Sequence, residues 1–179
     1  MCLSPYGRRG QSPVNGYWEV WLPPRLVPWR TSVNRATVGK PMEILLVEDN
    51  LEDARVTIEA LRDENVRCRV SLVCDGVEAM NFLRRVGVLA RAPRPDLILL
   101  DMELPKKNGP QVLAEIRADE ELRSIPVVVL TASMVHRVVL EAQDLHVDAF
   151  MTKPVSLEQF INTVRSMRRS WLAELVLPS

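Results

Sequence analysis

Short apolar runs alternate with amphipathic stretches from residue 42 onward. The apolar runs predict five strands, which are EILLV (43–47), RCRVSLV (67–73), DLILL (96–100), PVVVL (126–130) and DAFMT (148–152). Three of the five runs are almost wholly apolar, as is typical of strands that helices cover on both faces. The alternation of strands with helical stretches therefore predicts an α/β fold with a parallel five-stranded sheet.

The stretches between the runs carry apolar residues at spacings of three and four, which predicts five helices. The first two span about 52–65 and 76–87, and the later three are marked by Val112, Leu113 and Ile116, by Val135, Val138, Val139 and Leu145, and by Leu157, Phe160, Ile161, Val164 and Met167. In the first two helices, we expect the apolar residues at this spacing to face the core, namely Val56, Ile58, Ala60 and Leu61 in the first and Val77, Met80, Phe82 and Leu83 in the second. Gly76 and Gly109 mark two of the turns between strand and helix.

Residues 1–40 break this pattern. They hold six basic residues against one acidic residue, four of the seven glycines and five of the thirteen prolines, so no regular period persists. We expect residues 1–41 to form a disordered basic leader, although Trp18, Trp21 and Trp29 leave open a docking motif that folds on a partner. Met42 directly precedes the first strand, so our hypothesis is that the native protein begins there.

Composition narrows the possible functions. The chain has 179 residues, of which 47% are hydrophobic and 26% charged, as in a soluble globular protein of one domain. No apolar run approaches the roughly 20 residues that cross a bilayer, and no export signal follows Arg8 and Arg9, so we expect a cytoplasmic protein without a membrane partner. The three cysteines are odd in number and lack a CxxC pair, which argues against disulfides and a zinc site.

Polar residues follow four of the apolar runs. Glu48 and Asp49 follow the first strand, Asp101 the third, Thr131 the fourth and Lys153 the fifth. In an open parallel sheet, the carboxyl ends of all strands lie at one edge, where ligands bind. We therefore expect these five side chains to meet.

The charges of these residues indicate a site that binds a metal ion and a phosphoryl group. Three carboxylates so close together cannot all stay ionised without a cation, and oxygen ligands of this kind suit Mg²⁺. Lys153 and the Thr131 hydroxyl add partners for a phosphoryl group. An ionised aspartate at such a site can act as a nucleophile and form an acyl phosphate.

Four motifs in order resemble the receiver domain of bacterial two-component response regulators, over about residues 42–168. The motifs are VEDN (47–50), LLDMELP (99–105), LTAS (130–133) and MTKPV (151–155). The resemblance implies a flavodoxin-like (βα)5 three-layer sandwich with a parallel sheet of order 2-1-3-4-5.

The resemblance also assigns roles within the acidic pocket. It implies that Asp101 is the phosphoacceptor and that Lys153 pairs with the phosphoryl group. The implied Mg²⁺ ligands are Asp49, Asp101 and the carbonyl oxygen of Glu103, while Glu48 completes the acidic pocket. The role of the Glu103 side chain is left open by the sequence: it either repels the phosphoryl group or orients water, or else it points to solvent.

A switch is implied beside the pocket. Thr131 resembles the switch hydroxyl and Phe150 the switch aromatic, and Lys153-Pro154 resembles a peptide bond that is cis. Lys106 and Lys107 are expected to form a solvated loop face.

A narrower resemblance is to the small single-domain regulators that pair with bacterial phytochrome-type histidine kinases. It rests on GVEAMNFLRR, APRPDLILLDMELPKKNG, IPVVVLTAS, TKPVSLEQF and an apolar tail at 169–179 that contains WLAELVLP. This resemblance implies a homodimer through the fourth helix, the fifth strand, the fifth helix and the tail, unless the tail only covers the last helix.

The function implied is a phosphorylation-controlled switch that is not a conventional enzyme. It would accept a phosphoryl group on Asp101 from a histidine kinase and signal by protein contact, because few residues follow the fifth helix. The acidic balance of 42–168 argues against nucleic acid as a partner. Two alternatives are a receiver-like adaptor that works without phosphate and an aspartyl-nucleophile phosphatase of the haloacid-dehalogenase type.

Overall fold

Five parallel strands form one sheet in the order β2-β1-β3-β4-β5 in the computed structural model, which describes residues 41–62, 67–132, 140 and 144–167. The strands are β1 (Met42–Val47), β2 (Cys68–Val73), β3 (Leu97–Asp101), β4 (Val127–Thr131) and β5 (Ala149–Thr152). The α-helices among these residues are α1 (Leu51–Ala60), α2 (Gly76–Leu83), α3 (Gly109–Ala118) and α4 (Leu157–Ser166). The predicted parallel sheet and its order are confirmed.

Helices cover both faces of the sheet. On one face, α1 and α4 pack on the strands through a cluster that includes Ile44, Leu46, Ala54, Leu61, Leu99, Met151, Phe160 and Val164. On the other face, α2 and α3 pack through a cluster that includes Leu45, Val47, Met80, Phe82, Leu100, Val112, Leu113, Ile116 and Val129. Successive residues of the central strands enter opposite clusters, as the two-residue repeat of a strand requires. This is the flavodoxin-like three-layer fold that was predicted.

Two strands extend one residue further than predicted. Asp101 pairs with Leu130 in the sheet, and Thr131 pairs with Thr152. Both polar residues are therefore the last residues of β3 and β4, held by the backbone ladder, and do not lie in the loops that follow.

The first two helices end earlier than predicted. The N–H of Leu61 closes α1 by donating to the Thr57 carbonyl oxygen at 3.1 Å. After α2, Arg85 has a φ of 55° and a short 3-10 helix at Gly87–Leu89 follows. A residue in the left-handed conformation cannot continue an α-helix, so α2 ends before Arg85, although the apolar pattern predicted a helix to about residue 87.

The buried faces of α1 and α2 agree with the prediction in part, because Leu61, Met80, Phe82 and Leu83 are buried as predicted. Val56 is 42% exposed and Val77 is 40% exposed. Ala54 and Thr57 are buried in α1, and Ala79 is buried in α2. In helices this short, apolar residues at helical spacing fit more than one face, so the spacing alone does not fix which residues face the core.

Several predictions fall outside the described residues. They concern the leader before residue 41, most of the predicted fourth helix (133–139 and 141–143) and the tail after residue 167. The domain limits 1–41, 42–168 and 169–179 therefore stay predictions. Cys68 and Cys74 are free thiols, as expected, and none of the described helices is long and apolar enough to cross a membrane.

Arg117, near the end of α3, joins the amino ends of β4 and β5. Its guanidinium contacts Asp148 Oδ2 at 2.9 Å, and the same oxygen accepts a hydrogen bond from the Val127 N–H at 2.9 Å. The two side chains of this ion pair are only 15% and 10% exposed. The guanidinium also donates to the carbonyl oxygens of His146, Arg123 and Ile125, at 2.9, 3.1 and 3.0 Å. One cation thus satisfies polar groups from several segments at the edge opposite the predicted site.

Arg117→Ala should lower the free energy of unfolding by about 3 kcal/mol, because it leaves the largely buried Asp148 carboxylate without the Arg117 cation. Urea unfolding followed by circular dichroism would measure the loss. The control is Arg55→Ala, which removes an exposed pair with Glu59 and should cost less than about 1 kcal/mol. If the two variants lost equal amounts of unfolding free energy, the Arg117 contacts would contribute no more to stability than an exposed ion pair does.

Candidate functional site

An acidic residue, Glu48, is buried directly after the end of β1. Glu48 follows Val47 and is fully buried. Its backbone N–H donates to the Val73 carbonyl oxygen at 3.0 Å, and its Oε1 accepts from the Asn50 N–H at 3.2 Å. The Asn50 side chain caps α1, so strand end, carboxylate and helix start form one continuous turn.

Asp101 presents its carboxylate at the end of β3. Its Oδ1 accepts a hydrogen bond from the Met102 N–H at 2.8 Å. Glu48, Asp49 and Asp101 each offer a carboxylate oxygen within 4.8 Å of the other two. The predicted convergence of these three acids is therefore present. The Glu103 side chain is exposed and lies outside this group, and a metal role for its carbonyl oxygen stays a prediction.

Lys153 brings a cation to this pocket. Its Nζ lies 2.5 Å from Glu48 Oε2 and 3.2 Å from Asp101 Oδ1. The same nitrogen lies 3.3 Å from Asp53 Oδ2 in the first turn of α1. Sequence reasoning missed Asp53, although its place three residues after the Asn50 cap puts it at the carboxyl edge of the sheet.

The loop after β5 fixes the backbone of Lys153. Its N–H donates to the Thr131 carbonyl oxygen at 3.1 Å, which ties this loop to the end of β4. The Lys153-Pro154 peptide bond is cis, as predicted. Ser156 then caps α4 by accepting a hydrogen bond from the Gln159 N–H at 3.2 Å.

Burial and charge act in opposite directions in this pocket. Loss of water around Glu48 and the nearby Asp101 charge raise the pKa of the Glu48 carboxyl from 4.5 to about 7, against the lowering effect of Lys153. Burial alone would lower the pKa of the Lys153 ammonium, but its contacts with Glu48 and Asp101 raise it overall. The lysine is therefore charged, and it does not fully compensate the acids around it.

The pocket fits a divalent cation. Glu48 Oε2 is buried and makes no hydrogen bond of normal geometry within the described ranges, although it faces the Lys153 ammonium as an ion pair. Buried polar atoms of this kind normally have a partner. An incompletely satisfied oxygen beside two further carboxylates is a donor set of the kind that Mg²⁺ and Mn²⁺ prefer.

The predicted switch residues lie on β4 and β5. Thr131 is buried at the end of β4. Phe150 lies opposite Val129 in β5, is partly exposed, and packs against the cluster beneath α2 and α3. Thr131 and Phe150 are thus on adjacent strands, near the end where the acids meet.

Two glycines let the β3–α3 loop approach its neighbours. A Cβ on Gly109 would lie 2.5 Å from the Asp101 carbonyl oxygen, so α3 can begin only with glycine directly beside β3. A Cβ on Gly76 would lie 2.1 Å from the Lys107 carbonyl oxygen, which brings the start of α2 against the same loop. Gly109 therefore has the structural role that was expected, and Gly76 has a comparable one.

The two lysines of this loop are paired, and only Lys106 lies on the solvated face that was expected, with its side chain 66% exposed against 24% for Lys107. Lys106 has a φ of 63° and its ammonium contacts the buried Asp75, the residue that caps α2. Lys107 pairs with Glu115 of α3. Both pairs bind the loop to the helices beside it, and the sequence spacing of more than thirty residues between Lys106 and Asp75 gave no signal for the first.

Comparison with known proteins agrees with this geometry. The family described as "Response regulator receiver domain" matches residues 44–165. Response regulator Rcp1 of Synechocystis sp. is 41% identical over 139 residues, which cover 78% of this chain and 95% of that protein. A phosphorylated cyanobacterial phytochrome response regulator, RcpA, is 46% identical with a TM-score of 0.63, and the match covers 78% of this chain and all of that one. The Mn²⁺-bound form of Rcp1 is 41% identical with a TM-score of 0.62, at the same two coverages.

Glu48→Gln should flatten the dependence of stability on pH between 4.5 and 7. The folded protein takes up a proton on Glu48 in this range, while the unfolded chain does so only near 4.5, so wild-type stability falls as pH rises from 4.5 to 7. Glutamine is neutral throughout and lacks this contribution. Urea unfolding at several pH values, with EDTA present, would measure the slopes, and the exposed Glu52→Gln is the control. Parallel slopes in wild type and Glu48→Gln would contradict the raised pKa.

Proposed function

Because this chain belongs to the receiver-domain family of two-component response regulators, we propose that Asp101 is the residue that accepts the phosphoryl group. Phosphorylation-dependent two-component signalling is the function of this family. The observation that carries the residue assignment is the position of Asp101, which ends β3 among the acids and 3.2 Å from Lys153 Nζ. Receiver domains interact with histidine kinases, so the donor in this proposal is a phosphohistidine.

The transfer step uses groups that the pocket supplies. An Asp101 carboxylate oxygen attacks the phosphorus, the phosphorus–nitrogen bond of the phosphohistidine breaks, and its electron pair stays on the imidazole. The product is an acyl phosphate, and attack by water on phosphorus later returns the carboxylate and inorganic phosphate. Lys153 and the Thr131 hydroxyl would pair with the phosphoryl oxygens, whose charge they offset.

The same pocket would hold the metal. Receiver domains bind Mg²⁺ or Mn²⁺ at an acidic site, and a similar protein, Rcp1, has a Mn²⁺-bound form. We assign Mg²⁺ here to Glu48, Asp49, Asp101 and the carbonyl oxygen of Glu103, supported for the first three by their mutual approach. When bound, the cation neutralises negative charge on the phosphoryl oxygens.

The output of the proposed switch is protein contact. The phosphoryl group would draw in the Thr131 hydroxyl, and Phe150 would turn into the space that Thr131 leaves. That movement changes the outer face of β5 and of α4, which is the predicted fifth helix. These two elements belong to the predicted dimer face, together with the predicted fourth helix around 135–145 and the tail at 169–179. Receiver domains are generally non-enzymatic signalling domains, and we propose the same for this chain, acting in the cytoplasm as a homodimer.

A phytochrome-type histidine kinase is the proposed partner class. The support is the similarity to a cyanobacterial phytochrome response regulator over 78% of this chain. The intact group of acids, lysine and threonine weighs against an adaptor that works without phosphate, because such an adaptor has no use for a buried and costly charge cluster.

Incubation with Mg²⁺ and acetyl phosphate should add the mass of one phosphoryl group to the wild-type protein. Asp101→Asn should show no gain, because the amide cannot form an acyl phosphate, and EDTA should suppress the gain in the wild type. Intact-mass spectrometry provides the measurement. Asp144→Asn is the matched control, since Asp144 is exposed and its φ of 53° suits asparagine. A gain that persists in Asp101→Asn would refute the assignment.

A further inference from the structure

The Lys153 ammonium is shared by carboxylates of different depth. Glu48 and Asp101 are buried, with side chains 0% and 9% exposed, whereas the Asp53 side chain is 44% exposed. The ammonium lies at nearly equal distances from Asp53 and Asp101, 3.3 and 3.2 Å. Asp53 is therefore an outer partner, on the solvent side of the ion that faces the proposed phosphoacceptor.

The start of α1 places Asp53 there. The Asn50 side chain accepts hydrogen bonds from the N–H groups of Glu52 and Asp53, at 2.9 and 3.4 Å, which fixes the first turn. Both residues are acids in the first turn and both suit the helix dipole. The ion pairs of their side chains differ: within the described part of the chain, Asp53 contacts Lys153, whereas Glu52 has no ion pair. The dipole alone therefore does not account for the position of Asp53.

We propose that Asp53 is a positioning residue that keeps the Lys153 ammonium at the mouth of the pocket for the incoming phosphoryl group. This inference rests on the proposed function. The ammonium already contacts Glu48 and Asp101, and with these two as its only partners it would pair more closely with the nucleophile and compete with its attack. The exposed Asp53 offsets that pull, and because its pairing is screened by water, it does not hold the lysine too tightly to reach a phosphate.

Asp53→Asn should slow phosphorylation by acetyl phosphate about two- to fivefold, the range that an exposed ion pair supports. The direction is diagnostic. Removal of a negative charge near an anionic phosphodonor would by itself speed the reaction, so a general electrostatic role predicts the opposite change. Asp53→Glu should restore most of the rate, because it restores the carboxylate.

The matched control is Glu52→Gln, which removes the same charge from the same helical turn without touching Lys153 and should leave the rate unchanged or slightly raised. Initial rates from intact-mass spectrometry and urea unfolding of each variant are the two readouts. A slower Asp53→Asn with unchanged stability, rescued by Asp53→Glu, supports the proposal. An unchanged or faster Asp53→Asn, or a loss that tracks stability alone, overturns it. A wild type that gains no phosphoryl group refutes the proposed function, and this inference with it.

Discussion

The charge of one lysine holds the carboxyl edge of this sheet together. Lys153 reaches Glu48 after β1 and Asp101 at the end of β3, while its own backbone bonds to Thr131 at the end of β4. A buried carboxylate without a cation is costly, so acids at these strand ends can persist only because the loop after β5 returns an ammonium to them. The parallel sheet supplies the meeting point, and the lysine makes the meeting electrostatically possible.

The compensation is incomplete, and the function depends on that. Glu48 keeps a pKa near 7 despite the adjacent ammonium, and one of its oxygens has no regular hydrogen bond among the described residues. A pocket with more negative than positive charge attracts a divalent cation. A bound cation would in turn offset the negative charge that repels a phosphoryl group. The β3–α3 loop beside it is held by the approach of Gly76 and Gly109 and by the pairing of Lys106 with Asp75. Rigid surroundings of this kind favour a reaction that relies on position and charge.

Much of this arrangement could be read from the sequence. Apolar runs that end in Glu48, Asp101 or Thr131 fix both the strands and the edge at which their polar residues meet, because all parallel strands end on the same side. The pattern could not show contacts that depend on how a helix is rotated or how far a side chain reaches. Asp53 and the exposed Val56 belong to α1, where apolar spacing alone does not identify the buried face.

The proposed signalling role requires that the carboxylate of Asp101 carry the phosphoryl group passed on by a kinase. The most direct measurement is to phosphorylate the protein with a histidine kinase domain, reduce the product with borohydride, and sequence its peptides by tandem mass spectrometry. Borohydride converts an aspartyl phosphate to homoserine, so we expect homoserine at position 101 and unmodified aspartate at positions 49 and 53. Homoserine at another position, or a phosphoryl group retained on histidine or serine, would contradict it.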